Sequence, residues 1–381
     1  MITLKGKVHY VGVNDRIKTL FEGLWPLPYG VTYNSYLIAD EKVALIDTVD
    51  ANYFDLFLDK IKEVIGDRPI DYLIINHMEP DHSGSIRMLR QFYPELTVVT
   101  NKKALEMVEG YYGTAPSSKV IDEGDTLELG HHVLRFHMIP MVHWPEVMES
   151  YESSEKVLFS ADGFGRFGAV ARFDENADWA SEARRYYLNI VGKYGPQVQT
   201  VLQKAGTLDI RMLLPLHGFV WRKDLGYFLE KYDLWSRYEP EVRGVMIAYA
   251  SVYGDTENAA NVLACRLAER GIKVTMFDAS VTPASYIVSA AFRYSHLVFA
   301  STTYNMGIFV TMEQLLHDIV AHQLANRRYA LIENGSWSPV SGKKMQELLA
   351  PLKGWSELQT PLTVKSALRP DQDAQMERLA D

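Results

Sequence analysis

Four nearly continuous apolar runs in the last third of the chain constrain its fold more than any other feature. The runs are GVMIAYA, KVTMFDA, SHLVFAST and RYALIENG, and helical patterns alternate with them at residues 256–270, 283–293, 312–322 and 341–352. Strands that are apolar on both faces are typical of a parallel sheet covered by helices. The alternation therefore predicts a doubly wound α/β domain, which a last helix in ALRPDQDAQMERLAD closes.

The first 240 residues show a different pattern, with short strand-like runs separated by turn residues. Runs such as TYNSYLIAD, KVALIDTVD, LTVVT and HVLRFHMIP are β-branched or aromatic and are bounded by Gly, Pro, Asn or Asp. Between them, ANYFDLFLDKIKEVIG has apolar residues at helical spacing. This mixture predicts two sheets with helices packed outside. The polar link Glu239–Arg243 is the expected boundary, giving domains at 1–242 and 243–381.

Charge and cysteine content exclude several classes of protein. The 381-residue chain has a formal net charge of −9, which argues against a nucleic-acid binder that depends on phosphate contacts. It lacks a signal-peptide core and any apolar run of transmembrane length, so we expect a cytoplasmic protein with no membrane partner. The single cysteine, Cys265, leaves histidines and carboxylates as the only donors for a multi-ligand metal site.

The stretch HMEPDH places four metal-capable side chains in one turn after the apolar run DYLII. Any one of these residues alone is better explained as part of a solvated polar loop, but four together favour a metal site. Three further donors each follow an apolar strand, where side chains of neighbouring strands converge. The candidate ligands are His77, Glu79, Asp81, His82, His143, Asp162 and His217. Three other histidines, His131, His132 and His137, are expected to be surface or sheet residues, and His9 gives no signal.

The motif resembles the His-x-His-x-Asp-His motif of the metallo-β-lactamase fold, with Glu79 in place of the second histidine. That variant is similar to the one in flavodiiron proteins, and PYGVTYNSYLI, RRYYLNIVGKYG and LPLHGFVW resemble the same family. The resemblance implies an αββα metallo-β-lactamase-like sandwich followed by a flavodoxin-like domain. An added carboxylate shifts the site toward oxygen donors, which favour higher iron oxidation states.

The resemblance also implies roles for individual residues. His77, Glu79 and His143 would hold one iron, Asp81, His82 and His217 the other, and Asp162 would bridge them. A pocket tyrosine is expected at Tyr186 or Tyr187, between which the sequence does not decide; Tyr187 is our candidate, and with Asp162 it forms the expected catalytic pair. Tyr29 is expected to line the pocket, and Trp144 and Trp221 to shield it from water.

A second site is expected at the strand ends of the C-terminal domain. ASVYGDTENAA is a hydroxyl- and glycine-bearing turn that opens a helix, where backbone N–H groups can hold a phosphate. It matches neither a P-loop nor a dinucleotide loop. With STTYNMG and ENGSWSP it resembles the flavodoxin FMN site, although the first turn alone could be a helix cap and Trp337 could pack on its own domain. The candidate FMN contacts are Ser251, Tyr253, Gly254, Asp255, Thr256, Glu257, Thr302, Thr303, Tyr304, Asn305, Gly307, Asn334, Gly335, Ser336 and Trp337.

The family resemblance implies an oxidoreductase with two iron ions and FMN that reduces O2 to water, NO to N2O, or both. Because no Cys-x-x-Cys rubredoxin module is present, electrons are expected from a separate donor, either rubredoxin or a rubredoxin-like protein, or a reduced deazaflavin. A head-to-tail homodimer or a dimer of dimers is expected. Two alternatives are a binuclear zinc hydrolase fused to a flavodoxin-like domain, which Glu79 disfavours, and an electron carrier whose N-terminal domain is only a scaffold.

Overall fold

A computed structural model describes residues 2–113, 117–169 and 179–381 of the chain. The chain forms two compact units, one made of Met1–Tyr187 and Pro196–Asp233 and the other of Leu188–Gly195 and Leu234–Asp381. The boundary expected after residue 242 lies inside the second unit, at the first residue of its first strand. The eight residues Leu188–Gly195 were not expected in the second unit.

Two large sheets and two two-stranded sheets form the described part of the first unit. Its strands are β1 Ile2–Lys5, β2 Val8–Tyr10, β3 Val13–Asp15, β4 Leu20–Phe21, β5 Trp25–Pro26, β6 Val31–Tyr33, β7 Tyr36–Ala39, β8 Val43–Ile46, β9 Tyr72–Ile74, β10 Thr97–Thr100, β11 Ser118–Val120, β12 Thr126–Glu128, β13 Val133–Met138, β14 Met148–Glu152, β15 Val157–Phe159 and β16 Met212–Leu214. One large sheet has the order β1-β2-β7-β8-β9-β10-β11 and the other β12-β13-β14-β15-β16, and the two-stranded sheets are β3-β6 and β4-β5. Apolar side chains of both large sheets form one core cluster, which makes this unit a sandwich.

Helices join these strands. They are α1 Phe54–Ile65, α2 Pro80–Ser83, α3 Ile86–Phe92, α4 Lys102–Tyr112, α5 Trp179–Ile190, α6 Gly195–Ala205 and α7 Leu225–Ser236, with 3₁₀ turns at Ala51–Tyr53 and Gly192–Tyr194. Helix α1 follows the predicted pattern: its buried residues recur at three- and four-residue spacing, at Phe54, Phe57, Leu58, Ile61 and Ile65. Gly66, with φ of 59°, ends it.

The second unit is the predicted doubly wound domain. Its strands are β17 Val242–Ala250, β18 Val274–Asp278, β19 Tyr294–Tyr304, β20 Gly307–Ile308, β21 Arg328–Asn334, β22 Ser356–Glu357 and β23 Leu362–Val364, and its helices are α8 Asp255–Glu269, α9 Ala284–Arg293, α10 Val310–Ala321, α11 Ser341–Leu349 and α12 Asp373–Ala380, with a 3₁₀ turn at Pro370–Gln372. The parallel order β18-β17-β19-β21 continues to β22 and β23, which is the flavodoxin-like 2-1-3-4-5 arrangement. The expected fold class is confirmed.

A buried arginine without an acidic partner among the described residues holds one end of this unit together. The Arg327 guanidinium is almost fully buried and donates to the carbonyl oxygens of Ala291, Phe292, Tyr238, Ala325 and Asn326. Burial lowers its pKa to about 9. The carbonyls of Ala291 and Phe292 belong to the last turn of α9, where helical acceptors lack intrahelical donors. The Arg327 side chain thus caps the C-terminal end of α9.

Across residues 2–113, 117–169 and 179–381, no helix combines the length and apolar composition needed to cross a bilayer.

Candidate metal centre and cofactor pocket

The HMEPDH turn, residues 77–82, follows strand β9 and includes the first residues of the short helix α2. Pro80 occupies the first position of α2, and Glu79 precedes it with extended backbone (φ −54°, ψ 136°), as a proline requires of its neighbour. The buried carboxylate of Asp47 holds the start of the turn: its Oδ1 accepts the backbone N–H groups of Asn76 (2.8 Å) and His77 (3.2 Å). The backbone at the start of the turn is therefore held by a carboxylate that is not one of the candidate ligands.

The seven candidate ligands come together in two groups whose donor atoms lie within 4.8 Å of one another. The first group is His77, Glu79, His143 and Asp162, and the second is Asp81, His82 and His217. We call His77, Glu79 and His143 the first ligand set and Asp81, His82 and His217 the second, and treat Asp162 separately. In the first set, Glu79 Oε2 lies 3.3 Å from His77 Nε2 and 3.2 Å from His143 Nε2. In the second, Asp81 Oδ1 lies 3.5 Å from His82 Nε2, and Asp81 Oδ2 lies 3.4 Å from His217 Nε2.

Asp162 faces both sets. Its Oδ2 lies 3.1 Å from His143 Nε2 in the first set, and its Oδ1 lies 3.4 Å from His82 Nε2 in the second. It follows β15, the strand paired in parallel with β16, which leads to His217. The carboxyl ends of two adjacent parallel strands thus deliver Asp162 and His217 to the same edge of the sheet.

The chemistry of the pocket fits two cations. All seven side chains are buried. Among the described residues, both carboxylate oxygens of Asp81 and Oδ1 of Asp162 have no hydrogen-bond partner, and the Nε2 atoms of His82 and His217 are only 2.9 Å apart. Buried carboxylates without donors are costly unless a cation neutralises them. Four imidazole nitrogens and three carboxylates suit iron, because they mix borderline and hard donors.

Burial and the charges of neighbouring groups shift the pKa values of the ligand side chains in different directions. Burial and the charge of Glu79 raise the pKa of Asp81 to about 7. Burial also opposes ionisation of Glu79, but hydrogen bonds from His143 and His77 outweigh it and lower the pKa of that carboxyl. For His143, burial favours the neutral ring, but Asp162 and Glu79 raise its pKa to about 9. Cations that bind here must displace protons from the histidines, so their binding is coupled to proton release.

Two ligand histidines are oriented by hydrogen bonds on their outer nitrogens. His77 Nδ1 donates to Glu146 Oε1 at 2.9 Å, and His217 Nδ1 donates to the carbonyl oxygen of Thr32 at 2.6 Å. Both contacts leave Nε2 directed into the pocket, as metal-ligating histidines require. The sequence analysis missed Glu146. In the sequence, Glu146 is only an acidic residue three positions after His143, and nothing in that position identifies it as a partner of His77.

A cavity of about 400 Å³ lies at the carboxyl ends of β17, β19 and β21, where a doubly wound sheet binds ligands. Twelve of the predicted FMN contacts line it: Ser251, Tyr253, Asp255, Thr256, Thr302, Thr303, Tyr304, Asn305, Asn334, Gly335, Ser336 and Trp337. Four lining residues were not predicted: Val252, Met306, Ser338 and Ser366. The sequence offered no sign of Ser366, because it reaches the cavity from the loop after β23.

Three predicted contacts do not line the cavity but support its walls. Gly254 takes the left-handed φ of 97° before α8 and donates its N–H to Ser251 Oγ at 3.1 Å. Glu257 accepts the hydroxyl of Tyr249 at 3.2 Å, and Gly307 pairs with Tyr304 in a hairpin. All three are therefore next to lining residues without being lining groups themselves.

The rim of the cavity carries unpacked aromatic rings, and its floor carries paired hydroxyls. Tyr253 is 95% exposed and Trp337 is 90% exposed, so the alternative that Trp337 packs on its own domain is wrong. At the floor, Thr256 Oγ1 lies 2.8 Å from Thr302 Oγ1, next to the first N–H groups of α8. Hydroxyls and free N–H groups at a helix N-terminus suit a phosphate, and exposed rings suit a planar ring system.

Comparison with known proteins decides the family. The family model described as ODP family beta lactamase matches residues 31–218. The structure of a rubredoxin oxygen:oxidoreductase from Desulfovibrio gigas is 30% identical, with a TM-score of 0.94, and covers 100% of this chain and 96% of that one. The flavodiiron protein from Giardia intestinalis is 25% identical, with a TM-score of 0.95 and coverage of 99% and 94%. A nitric oxide reductase of Moorella thermoacetica is 29% identical over 360 residues, 92% of this chain and 90% of that protein.

The chain belongs to the flavodiiron protein family. The family expected from the HMEPDH motif is thereby confirmed, and the zinc-hydrolase alternative is not favoured.

Of the two candidate tyrosines of this flavodiiron protein, Tyr186 lies beside the ligands, whereas our candidate Tyr187 packs away from them. The Tyr186 ring lies 5.5 Å from the His217 ring between centroids, and burial together with the nearby Asp162 carboxylate raises its pKa well above the ordinary value. Tyr187 instead packs against Tyr232, with ring centroids 4.9 Å apart. Adjacent helical residues point about 100° apart, so only one of them can face the ligands.

The aromatic residues that surround the ligand histidines of this flavodiiron protein differ in part from the expected Trp144 and Trp221. The Trp144 ring lies 5.3 Å from His77 and 6.1 Å from His143 between centroids, as expected. Trp221 packs instead in an aromatic cluster, 4.0 Å from Phe228, and Tyr29 is 66% exposed rather than in the pocket. Phe21, which was not predicted, lies 5.4 Å from His217 and takes the place expected for Trp221.

Two further outcomes concern charged residues. Glu22, at the turn between β4 and β5, was not predicted; the residue is exposed to solvent overall, but partial desolvation of its carboxyl and the neighbouring Glu79 carboxylate raise its pKa to about 7. Its contact with Glu79 is tertiary and left no signal in the sequence. The sheet histidines are more enclosed than a surface position implies: His132 and His137 are buried and donate to Asp40 (2.8 Å) and Glu123 (3.0 Å).

Proposed function

We propose that this flavodiiron protein reduces O2, NO or both, with electrons that pass from FMN to a pair of irons. The observation that carries the proposal is the buried convergence of seven donors in two sets that share Asp162. The names of similar proteins support both substrates, since one is a nitric oxide reductase and another a rubredoxin oxygen:oxidoreductase. When bound, the iron pair would supply electrons to a diatomic ligand and FMN would relay them.

The residues around the seven metal ligands would limit the access of water to the site and supply a hydrogen-bond donor to the substrate. Trp144 and Phe21 cover ligand histidines and restrict the access of bulk solvent. The Tyr186 hydroxyl is fully buried beside the Asp162 carboxylate, and burial together with that carboxylate raises its pKa and keeps it protonated. It would therefore be a proton-bearing group next to the ligands, where it could donate to an oxygen atom of the substrate.

The cavity of the second unit would hold FMN. The Thr256 and Thr302 hydroxyls and the first N–H groups of α8 would bind its phosphate without a lysine. Tyr253, Tyr304 and Trp337 at the rim would contact the isoalloxazine ring. A stacked aromatic ring adds about 1 kcal/mol beyond its buried area, which favours a planar cofactor over a flexible one.

An external donor and a second copy of the chain complete the proposal. Rubredoxin, a rubredoxin-like protein or a reduced deazaflavin would reduce FMN. Each unit exposes apolar residues: Met306 and Trp337, which line the cavity of the second unit, and Leu24 and Tyr29 in the first unit. Exposed apolar groups of this kind mark interaction surfaces, and a head-to-tail dimer or dimer of dimers would cover both. An active monomer at nanomolar concentration would contradict this arrangement.

Stopped-flow reoxidation of the fully reduced, iron-loaded protein by O2 and by NO tests the function. We expect rapid reoxidation by at least one gas, and the ratio of the two rates assigns the substrate. Asp162→Asn should abolish gas reduction but leave FMN reduction intact, whereas Glu149→Gln, which replaces none of the seven ligands, should retain both. Two bound zincs with esterase activity and no reoxidation would refute the proposal.

A further inference from the structure

The two ligand sets are matched in their donors. Each contains two histidines and one carboxylate of its own, and both face Asp162. Donor type alone therefore gives neither set an advantage for a given ion. A difference in affinity must come from the groups that hold the ligands in place.

The first set is held by a buried carboxylate. Glu146 Oε1 accepts His77 Nδ1 at 2.9 Å and the backbone N–H of Met78 at 3.0 Å, and the Glu146 side chain is fully buried. Asn101 Nδ2 donates to the Glu146 carbonyl oxygen at 2.6 Å and fixes its backbone. An anionic acceptor on Nδ1 locks the ring and makes Nε2 a stronger donor.

The second set has weaker support. His217 Nδ1 donates to a neutral acceptor, the carbonyl oxygen of Thr32. His82 Nδ1 is buried and has no hydrogen-bond partner among the described residues. The charge of Asp47 acts on His82, but the Asp47 Oδ1 atom is occupied by the backbone N–H groups of Asn76 and His77. No carboxylate in the described part of the chain orients a histidine of this set through its outer nitrogen.

We propose that the two sets bind their ions with unequal strength, that the first set fills first, and that Glu146 is the positioning residue responsible. This inference rests on the proposed function only in taking the seven residues as the ligands of two ions. Removal of a carboxylate that orients a metal-bound histidine typically lowers metal affinity 10–100-fold. We therefore expect the dissociation constants of the two sets to differ by about that factor.

Titration of the metal-free, full-length protein with cobalt(II) chloride tests the inference independently of gas reduction. The visible absorption of cobalt reports each binding step, and calorimetry gives both dissociation constants. The wild-type protein should bind cobalt in two resolved steps. His143→Ala should remove the tight step and His217→Ala the weak one, which assigns the steps to the first and second sets.

Glu146 and Glu149 provide a matched pair of variants, because both are buried glutamates in the same segment and only Glu146 contacts a ligand. Glu146→Ala should weaken the tight step 10–100-fold, so that the two steps merge. Glu146→Gln keeps an acceptor for His77 but removes the charge, and should weaken the tight step less. Glu149→Gln should leave both constants unchanged. Circular dichroism of each metal-free variant verifies folding, and Glu146→Gln carries the test if the alanine variant does not fold.

Three outcomes would overturn the inference: equal affinities in the wild-type protein, loss of the weak step in the Glu146 variants, or the same weakening in Glu149→Gln. Reduction of neither gas by a protein that shows the two predicted cobalt steps would refute the proposed function but leave this inference standing. Failure to bind cobalt or iron at all would refute both.

Discussion

Glu149 is a buried acid whose ionisation should destabilise the first unit. It is 1% exposed and lies opposite His137 on the neighbouring strand. Burial raises its pKa from 4.5 to about 8, while the charge of Lys204 lowers it and that of Glu123 raises it further. At neutral pH the folded protein therefore holds a proton that the unfolded chain releases.

The sign and size of the effect follow from proton linkage. The stabilisation by the protonated carboxyl is complete below pH 4.5 and is lost as the pH rises to about 8. Over this interval the free energy of unfolding falls by about 1.4 kcal/mol per pH unit, or roughly 5 kcal/mol in all. Glu149→Gln removes the titration, so its stability relative to wild type should rise by about 3 kcal/mol between pH 6 and pH 8.

Differential scanning calorimetry of both proteins, in the same metal-loaded state and at half-unit pH steps, measures this difference. Glu128→Gln, at an exposed position of β12, is the control and should parallel wild type at every pH. Infrared spectroscopy at pH 7 should show a protonated carboxyl band in wild type that Glu149→Gln lacks. Parallel stability curves for wild type and Glu149→Gln, or the absence of that band, would refute the reasoning.

Three further predictions concern packing and cofactor binding. A Cβ at Gly12 would lie 2.5 Å from a backbone oxygen, so Gly12→Ala should lower the free energy of unfolding by about 3 kcal/mol, whereas Gly110→Ala, with open space around it, should raise it slightly. Arg327→Leu leaves buried carbonyls without a donor and should cost about 3 kcal/mol, measured as a lower calorimetric transition temperature of the second unit. Trp337→Ala should raise the FMN dissociation constant about tenfold in a fluorescence titration, unlike Val281→Ala at an exposed position outside the cavity lining; equal constants would exclude stacking.

The sequence predicted site residues best where they lie shortly after an apolar strand. Asp162 and His217 come directly after buried parallel strands, and strand ends that share an edge bring such residues together. The phosphate-type turn before α8 could be predicted for the same reason. Local pattern and the geometry of parallel sheets were sufficient in these cases.

Other features depend on tertiary contacts that no local pattern encodes. Glu146 and His77 are 69 residues apart in the chain, and their hydrogen bond forms because the fold brings the two loops that carry them together. Tyr186 and Tyr187 are both buried, so hydrophobicity does not distinguish them, and only the orientation of α5 selects the one beside the ligands. The segment 188–195 is similar: nothing in its composition indicates which unit it joins.

The pocket gathers three carboxylates and four imidazoles in a space closed to water. Without cations, three acids at such close range favour opening of the loops that carry them. Ligands that bind only the folded chain stabilise it in proportion to the logarithm of their concentration. With iron as the proposed metal, scarcity of iron during synthesis would leave more of the protein open to proteases, and its abundance in the cell would follow the supply of the metal.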